Sequence, residues 1–383
     1  MVKLHMMNIV TRIFDINVDY SKRIFGLDVI RALAIFLVLF AHSLILWPQI
    51  PQIIYQLLFY ILAFVGVELF FVLSGFLIGS IIIKLIHYRE DFNFKTAKAF
   101  WIRRWFRTLP NYYLVLVSQL LIFYLITKSF PLSLLKFLVF SQNLTKGYPH
   151  FFYEAWTLSV EEWFYLLLPI SYIVFKLLLP KKIDKKYIFL SVISFFLLFG
   201  IIARFIAATS GLAWQDIRGV VLFRIDSVMY GVLFAYACFH YQPVIEKYKK
   251  YLLFLGSLLI FLCIGKITLD ILNDVQGFFL KTFLFSFCSF GMACMLPSFN
   301  SRAHGRNPFV TKVVTHLAII SYSAYLIHNS IVLAFLHEMP PFMGTYVIHY
   351  CMFWILTILC STLLYKSFEK PVMSLRDKYR ERT

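Results

Sequence analysis

Along its length the chain alternates long apolar stretches with short polar ones, a rhythm set by bilayer thickness rather than by a water-facing surface. Windows of about 20 residues, the length a helix needs to cross the hydrocarbon core, pick out ten apolar stretches. They centre on 27–47, 65–83, 111–127, 157–175, 187–208, 220–240, 251–268, 278–296, 313–335 and 346–365. A further apolar segment near 53–63 leaves room for an eleventh, partial or interfacial one. Neither Gly/Ser-rich linkers nor periodic repeats break the series. The pattern predicts an all-α integral membrane protein of about ten transmembrane helices in a single domain, residues 26–366. An interfacial segment, 1–25, is expected before it and a basic tail, 367–383, after it. The first apolar run belongs to this series, so no cleavable signal peptide is expected.

Composition sharpens the picture. Hydrophobic residues reach 61% and charged residues only 15%, against about 45–50% and about 25% in ordinary globular chains. So little charge cannot clothe a soluble exterior. The net charge is nevertheless +18, and its placement explains it. With a cytoplasmic N-terminus, 28 of the 37 cations fall in inside loops and termini. Six fall outside (Lys128, Lys136, Lys146, Arg218, Lys266, Lys281), and Arg31, Arg204 and Arg224 remain within spans. This asymmetry satisfies the positive-inside rule with both termini cytoplasmic and an even number of spans. A multi-pass protein of the cytoplasmic (inner) membrane is expected, with the tail LRDKYRERT at anionic headgroups. The basic charge therefore speaks of topology, and no nucleic-acid motif accompanies it. The six cysteines form no CxxC pair or zinc-like spacing; they read as small buried hydrophobes, and no metal is expected.

Polar residues inside the spans carry the chemistry, because a charge at mid-membrane costs at least about 2.5–3.5 kcal/mol. These are Asp28, Arg31, His42, Glu68, Glu161, Glu162, Arg204, Arg224, Asp226 and His328. Arg31 and His42 stand eleven residues apart, three turns plus about 20°, so they share one helix stripe about 16 Å apart. FWIRRWFRTLP, residues 100–110, reads as a cytoplasmic loop with Arg104 and Arg107 on one face, either topogenic charge or an anion site for forked guanidinium groups. Glu161 and Glu162 point about 100° apart, so one faces a cavity while the other pairs or caps. Arg224 and Asp226 are expected to compensate each other, and Arg204 and His328 read as structural. A lone His on an apolar helix is usually a packed core residue; the company of His42 is what changes its reading.

That company has an order. GLDVIRALAIFLVLFAHS, GVELFFVLSGFLIG (66–79), the Arg pair before TLP, WTLSVEEWFYLLLP, FRIDSVMYGVLFA, ISYSAYLIHNSI and the terminal FEKP follow one another along the chain. In this combination the sequence resembles the membrane acyltransferase-3 family, whose members O-acylate surface glycans and some small molecules. It departs from the family pattern at Val29 and Ala32, where Gly is frequent, at Glu68, often Asp, and at Trp163, often Gln. The hydrolase-like domain fused to some members is expected to be absent.

The resemblance implies an O-acetyltransferase (EC 2.3.1.-) taking acetyl-CoA from the cytoplasm as co-substrate. Its phosphates would meet Arg31, Arg104 and Arg107, and its pantetheine arm would run up the first helix to His42. His42 would be general base on a hydroxyl of an extracytoplasmic glycan such as a lipopolysaccharide O-antigen or exopolysaccharide, with Glu68 orienting the imidazole and one of Glu161 and Glu162 shaping the acceptor end. An acyl-histidine intermediate is the competing route. A transporter or flippase for glycans or small amphiphiles is the alternative function, although it has no evident need of the Arg–His stripe. The outer loop 128–155, with Lys136, Lys146, Tyr148, His150, Phe151, Phe152 and Tyr153, offers either sugar contacts or an interfacial aromatic belt.

Overall fold

The computed structural model describes residues 16, 19–20, 23–89, 91–147, 151–339 and 346–380, and it is helical throughout, with no strand among them. Most of the expected interfacial N-terminal segment, along with Tyr148, His150 and the last three residues, lies outside the described residues. Ten principal helices follow one another: α1 Phe25–Ser43, α2 Gln52–Tyr88, α3 Phe94–Thr127, α4 Ala155–Leu178, α5 Lys185–Thr209, α6 Ile225–His240, α7 Gln242–Leu272, α8 Leu284–Asn300, α9 Pro308–Ile327 and α10 Tyr346–Leu364. Local chemistry sets several starts. Asn93 caps α3 by accepting from Thr96 N at 3.2 Å, Asp184 caps α5, and Asn307 caps α9 with Pro308 at its first turn.

Eight of these elements are long and apolar enough to cross a membrane, so this is a multi-pass membrane protein. The other two, α6 and α8, have only 16 and 17 residues, short of the length a lipid-exposed span needs. Short helical turns, Trp214–Arg218 and Val221–Phe223 before α6 and Phe278–Thr282 before α8, lead into them. Both sit in the protein interior, where neighbouring helices supply what lipid would not: α6 is buried along most of its length against α2, and α8 packs on α2, α6 and α7. The expected series of ten is therefore eight full-length spans and two interior helices.

Two boundaries are corrected. The apolar segment near 53–63 is no separate element; it is the first part of α2, whose 37 residues extend about 55 Å. The stretch 100–110 is not a loop, because α3 begins at Phe94 and carries FWIRRWFRTLP inside the helix, with Pro110 within it. Segments expected on one side do meet. Asp91 pairs with Lys176, and Lys185 Nζ donates to the Arg89 carbonyl at 2.7 Å. The start of α1 is tied to Arg302 and Ala303. At the opposite end Asn143 holds Gly219 and Val221, and Gln276 holds Trp214.

Close helix approach rests on small residues. Gly75 of α2 faces the Val228 carbonyl and Gly231 of α6 faces the Val72 carbonyl; a Cβ at either would overlap that oxygen. One ion pair locks the bundle beside them. Arg204 of α5 is fully buried and uses all five donors: Asp226 in bidentate fashion at 2.6 and 2.7 Å, the carbonyls of Thr282 and Phe223, and Ser286 Oγ. Asp226 thus belongs to Arg204 and not, as its spacing implied, to Arg224. Cys351 and Cys360 are exposed on α10, contrary to the expectation that all six cysteines are buried.

Candidate active site

Two cavities lie end to end in the bundle. Arg31, Arg104 and Arg107 line a narrower chamber of about 130 Å³, together with Ser74, Glu161 and Tyr322. His42, Glu68, Glu154 and His328 line a wider one of about 400 Å³, together with Tyr55, Tyr153, Arg218 and Arg224. Val67 and Tyr325 line both, so the chambers meet at these two side chains. Thr157 Oγ1 fixes the Tyr325 hydroxyl at 2.7 Å. The eleven-residue stripe on α1 behaves as expected, with Arg31 in one chamber and His42 in the other.

In the arginine chamber, Arg104 and Arg107 reach the cavity because α3 continues as a helix past them and presents one face. The Arg104 guanidinium donates to Tyr165 OH at 2.6 Å and lies 3.6 Å from the Glu161 carboxylate. Tyr165 in turn donates to Glu161 at 2.5 Å and is hydrogen-bonded to Ser74. This chain of α2, α3 and α4 side chains holds one guanidinium rigidly. Arg31 hydrogen-bonds to none of the described residues. Three cations converging on a cavity with one carboxylate among them make a site for a multiply charged anion.

The two adjacent glutamates resolve as their 100° separation implies, one facing a cavity and the other paired, and only the expected end is corrected. Glu161 faces the arginine chamber rather than an acceptor end. Glu162 turns to α3, where Thr108 Oγ1 donates to it at 2.9 Å, and it does not line either chamber. A second carboxylate at the histidine chamber, beside Glu68, is Glu154, which sequence reasoning missed. Its signal was present: it precedes Glu161 by seven residues, two turns less about 20°, and so shares its face.

In the histidine chamber, His42 Nδ1 lies 2.8 Å from the Val38 carbonyl. A carbonyl only accepts, so Nδ1 carries the proton and Nε2 keeps its lone pair. No described residue hydrogen-bonds to that Nε2. The ring packs edge-on against Phe59 and against His328, with centroids 5.4 and 4.9 Å apart. Glu68 shares the cavity, yet it does not orient His42. Arg224 pairs with one of its oxygens and Ser289 Oγ donates to the other at 2.7 Å. Arg224 also lies over the Phe285 ring at 4.1 Å. The two carboxylate–arginine pairs are crossed relative to the sequence: Glu68 with Arg224, Asp226 with Arg204.

The remaining motifs find places. Ser321, Tyr322, Tyr325, His328 and Asn329, all from ISYSAYLIHNSI, line the two chambers in succession. Glu369 of FEKP is a joint rather than a site residue; Ser323 Oγ and Asn111 Nδ2 donate to it at 2.6 and 3.1 Å, tying α3, α9 and the end of α10 together. Of the aromatic loop, Tyr153 faces the histidine chamber, whereas Phe152 stacks on Tyr112 and Phe151 packs on Phe137. Among the described residues no cluster of His, Cys, Asp or Glu has metal-site geometry.

The family model described as an acyltransferase domain matches residues 24–366. Peptidoglycan O-acetyltransferase OatA of Listeria monocytogenes is 28% identical over 172 residues, 41% of this chain and 25% of that protein. A Bacillus subtilis protein provisionally named peptidoglycan O-acetyltransferase YrhL is 30% identical over 171 residues, 41% of this chain and 25% of that protein. Staphylococcus aureus proteins provisionally named O-acetyltransferases are 27% identical over 372 residues, 90% of this chain and 56% of theirs. The chain thus spans a quarter to about half of the length of these relatives. No solved structure matches.

Proposed function

This chain belongs to the acyltransferase-domain family whose model spans residues 24–366, and from that premise we propose that it carries an acyl group across the membrane. The donor is acyl-CoA, acetyl-CoA in the first instance, and the acceptor is a hydroxyl of an extracytoplasmic glycan. Lipopolysaccharide O-antigen, exopolysaccharide and peptidoglycan are the acceptor classes to assay; the last is the one named for the Listeria and Bacillus relatives. The observation that carries the reading is the pair of chambers meeting at Val67 and Tyr325, with guanidinium groups at one end and an imidazole at the other. The cation-rich end is the cytoplasmic one by the charge distribution of the sequence.

The chemistry follows from what each end offers. Arg31, Arg104 and Arg107 hold the donor's phosphates, while the thin pantetheine chain passes the constriction. His42 Nε2, aproned by Phe59 and His328, takes the proton of the acceptor hydroxyl as its oxygen attacks the thioester carbonyl. The C–S bond breaks, the same proton passes to the sulfur, and His42 returns to neutral. A neutral imidazole with Nδ1 tied to a carbonyl is poised for such a transfer. Glu68 keeps Arg224 neutralised at the chamber wall and supplies no proton.

The test is transfer of label from acetyl-CoA to envelope glycan by the protein reconstituted in liposomes. His42→Ala should lower the turnover rate by about 10²- to 10⁴-fold while acetyl-CoA still binds. An active His42→Ala protein would end the general-base assignment. Mass spectrometry of the labelled glycan, searched for an acetyl-sized increment, identifies the acceptor.

A further inference from the structure

His328, expected to be structural, has the geometry of a working residue. It opens a π-helical turn, His328–Leu333, at the end of α9, an irregularity that recurs at functional sites. Its side chain is completely buried. Nδ1 lies 2.8 Å from the Tyr325 carbonyl and 3.2 Å from that of Ala324, so the proton is on Nδ1 and Nε2 is an acceptor. Among the described residues that Nε2 has no hydrogen-bond partner. A buried orphan acceptor is unfavourable and rare, and this one belongs to a ring in edge contact with His42, centroids 4.9 Å apart and planes at 78°.

The two carboxylates of the chamber are already committed. Glu68 is engaged by Arg224 and Ser289. Glu154 accepts from Ser330 N at 2.8 Å and from Ser330 Oγ; it clamps the π-turn that carries His328. Neither is hydrogen-bonded to His42. When His42 takes a proton, its new N–H faces the reacting oxygen and then the sulfur, and the positive ring has no carboxylate hydrogen-bonded to it.

We propose that His328 is the positioning partner of His42, holding its ring by edge contact and stabilising, through its own unshared Nε2 lone pair, the imidazolium charge that His42 acquires during acyl transfer. This role rests on the function proposed above and deepens it. In a Ser–His–Asp triad a carboxylate on the far nitrogen holds the ring and stabilises the imidazolium; here the Val38 carbonyl holds that nitrogen, and a neutral imidazole packs beside the ring. In the resting state both Nε2 atoms carry lone pairs and make no bond to each other, as observed. As the acceptor O–H breaks and the new C–O bond forms, the proton sits on His42 Nε2, facing the reacting atoms, while His328 stays neutral beside the charged ring. The proton moves to the sulfur as the C–S bond breaks, and both imidazoles end neutral. His328 acts through His42 and needs no contact with the donor.

The experiment uses the liposome-reconstituted protein, acetyl-CoA as donor and envelope glycan as acceptor. His328→Ala should lower kcat about a hundredfold, within the range for acid–base partners, with KM for acetyl-CoA changed less than about twofold. Imidazole added to His328→Ala should restore part of the rate. His328→Gln, whose amide oxygen can accept near the position of Nε2, should recover about tenfold over His328→Ala. Wild-type kcat in His328→Ala would overturn the role. So would equal losses in the Ala and Gln variants, insensitive to imidazole and accompanied by a lowered melting temperature, because that is the signature of a packing residue. Absence of transfer by the wild-type protein itself would instead remove the acyltransfer reading beneath it.

Discussion

The two chambers share walls from α1, α2, α4 and α9, yet they treat charge in opposite ways. In the arginine chamber, positive charge is concentrated: three guanidinium groups and one carboxylate, Glu161, line the cavity, and a tyrosine network pins Arg104. In the histidine chamber each charged group is tied to the wall, Glu68 to Arg224, Glu154 to the Ser330 turn and Arg218 over the Trp214 ring, and the two imidazoles are left as neutral bases. On the proposed function, one end attracts an anion and the other moves a proton. If that reading holds, the constriction at Val67 and Tyr325 separates binding from chemistry. Substitutions on either side should therefore change different kinetic constants.

A comparison of this kind fails if all buried charges merely hold the bundle, so the largest expected effect is a control. Arg204–Asp226 is sealed away from both chambers, with every guanidinium donor satisfied. Asp226→Ala leaves that cation buried and unpaired, which should cost about 3–5 kcal/mol of stability. Thermal unfolding in detergent should show the loss, and donor binding and turnover should disappear together. A stable Asp226→Ala protein that loses turnover alone would place the pair inside the site.

The next effect should appear at one end only. Arg104→Ala combined with Arg107→Ala removes two charge-assisted contacts, each worth about 1.5–3 kcal/mol. KM for acetyl-CoA should rise at least a hundredfold while kcat at saturation stays within about threefold. A matching fall in kcat would mean that the chambers are one site.

The sequence disclosed the spans because lipid enforces a length, and it disclosed the two ends because a helix repeats every 3.6 residues: Arg31 and His42 do mark opposite chambers. It misplaced what depends on partners distant in sequence. Arg224 finds Glu68 156 residues away rather than Asp226 two residues on. Hydropathy read the start of α3 as loop, because arginines facing an internal cavity score like arginines facing water. It likewise placed one of Glu161 and Glu162 at the acceptor end, since depth along a helix is not depth relative to a constriction set by other helices. His328 looked ordinary because its significance lies in an unpaired nitrogen, which only the packing around it reveals.

The finest test of the comparison lies on a single helix face. Glu154 and Glu161 are about 10.5 Å apart along α4 by helical rise, one at each chamber, and both become neutral without loss of size as Gln. In Glu161→Gln the amide oxygen can still accept from Tyr165, and Tyr165 still holds Arg104, so geometry persists while a negative charge leaves the anion site. Donor binding should tighten by about 1 kcal/mol, roughly fivefold in KM, with kcat unchanged. In Glu154→Gln the bond to Ser330 N persists as a neutral one and the grip on the π-turn weakens by a similar amount. The loss then falls on the placement of His328, so kcat should drop about fivefold while KM for acetyl-CoA stays put. Two identical substitutions seven residues apart would then move different constants, one favourably and one unfavourably. The same constant moving the same way in both would mean that the constriction does not divide the site.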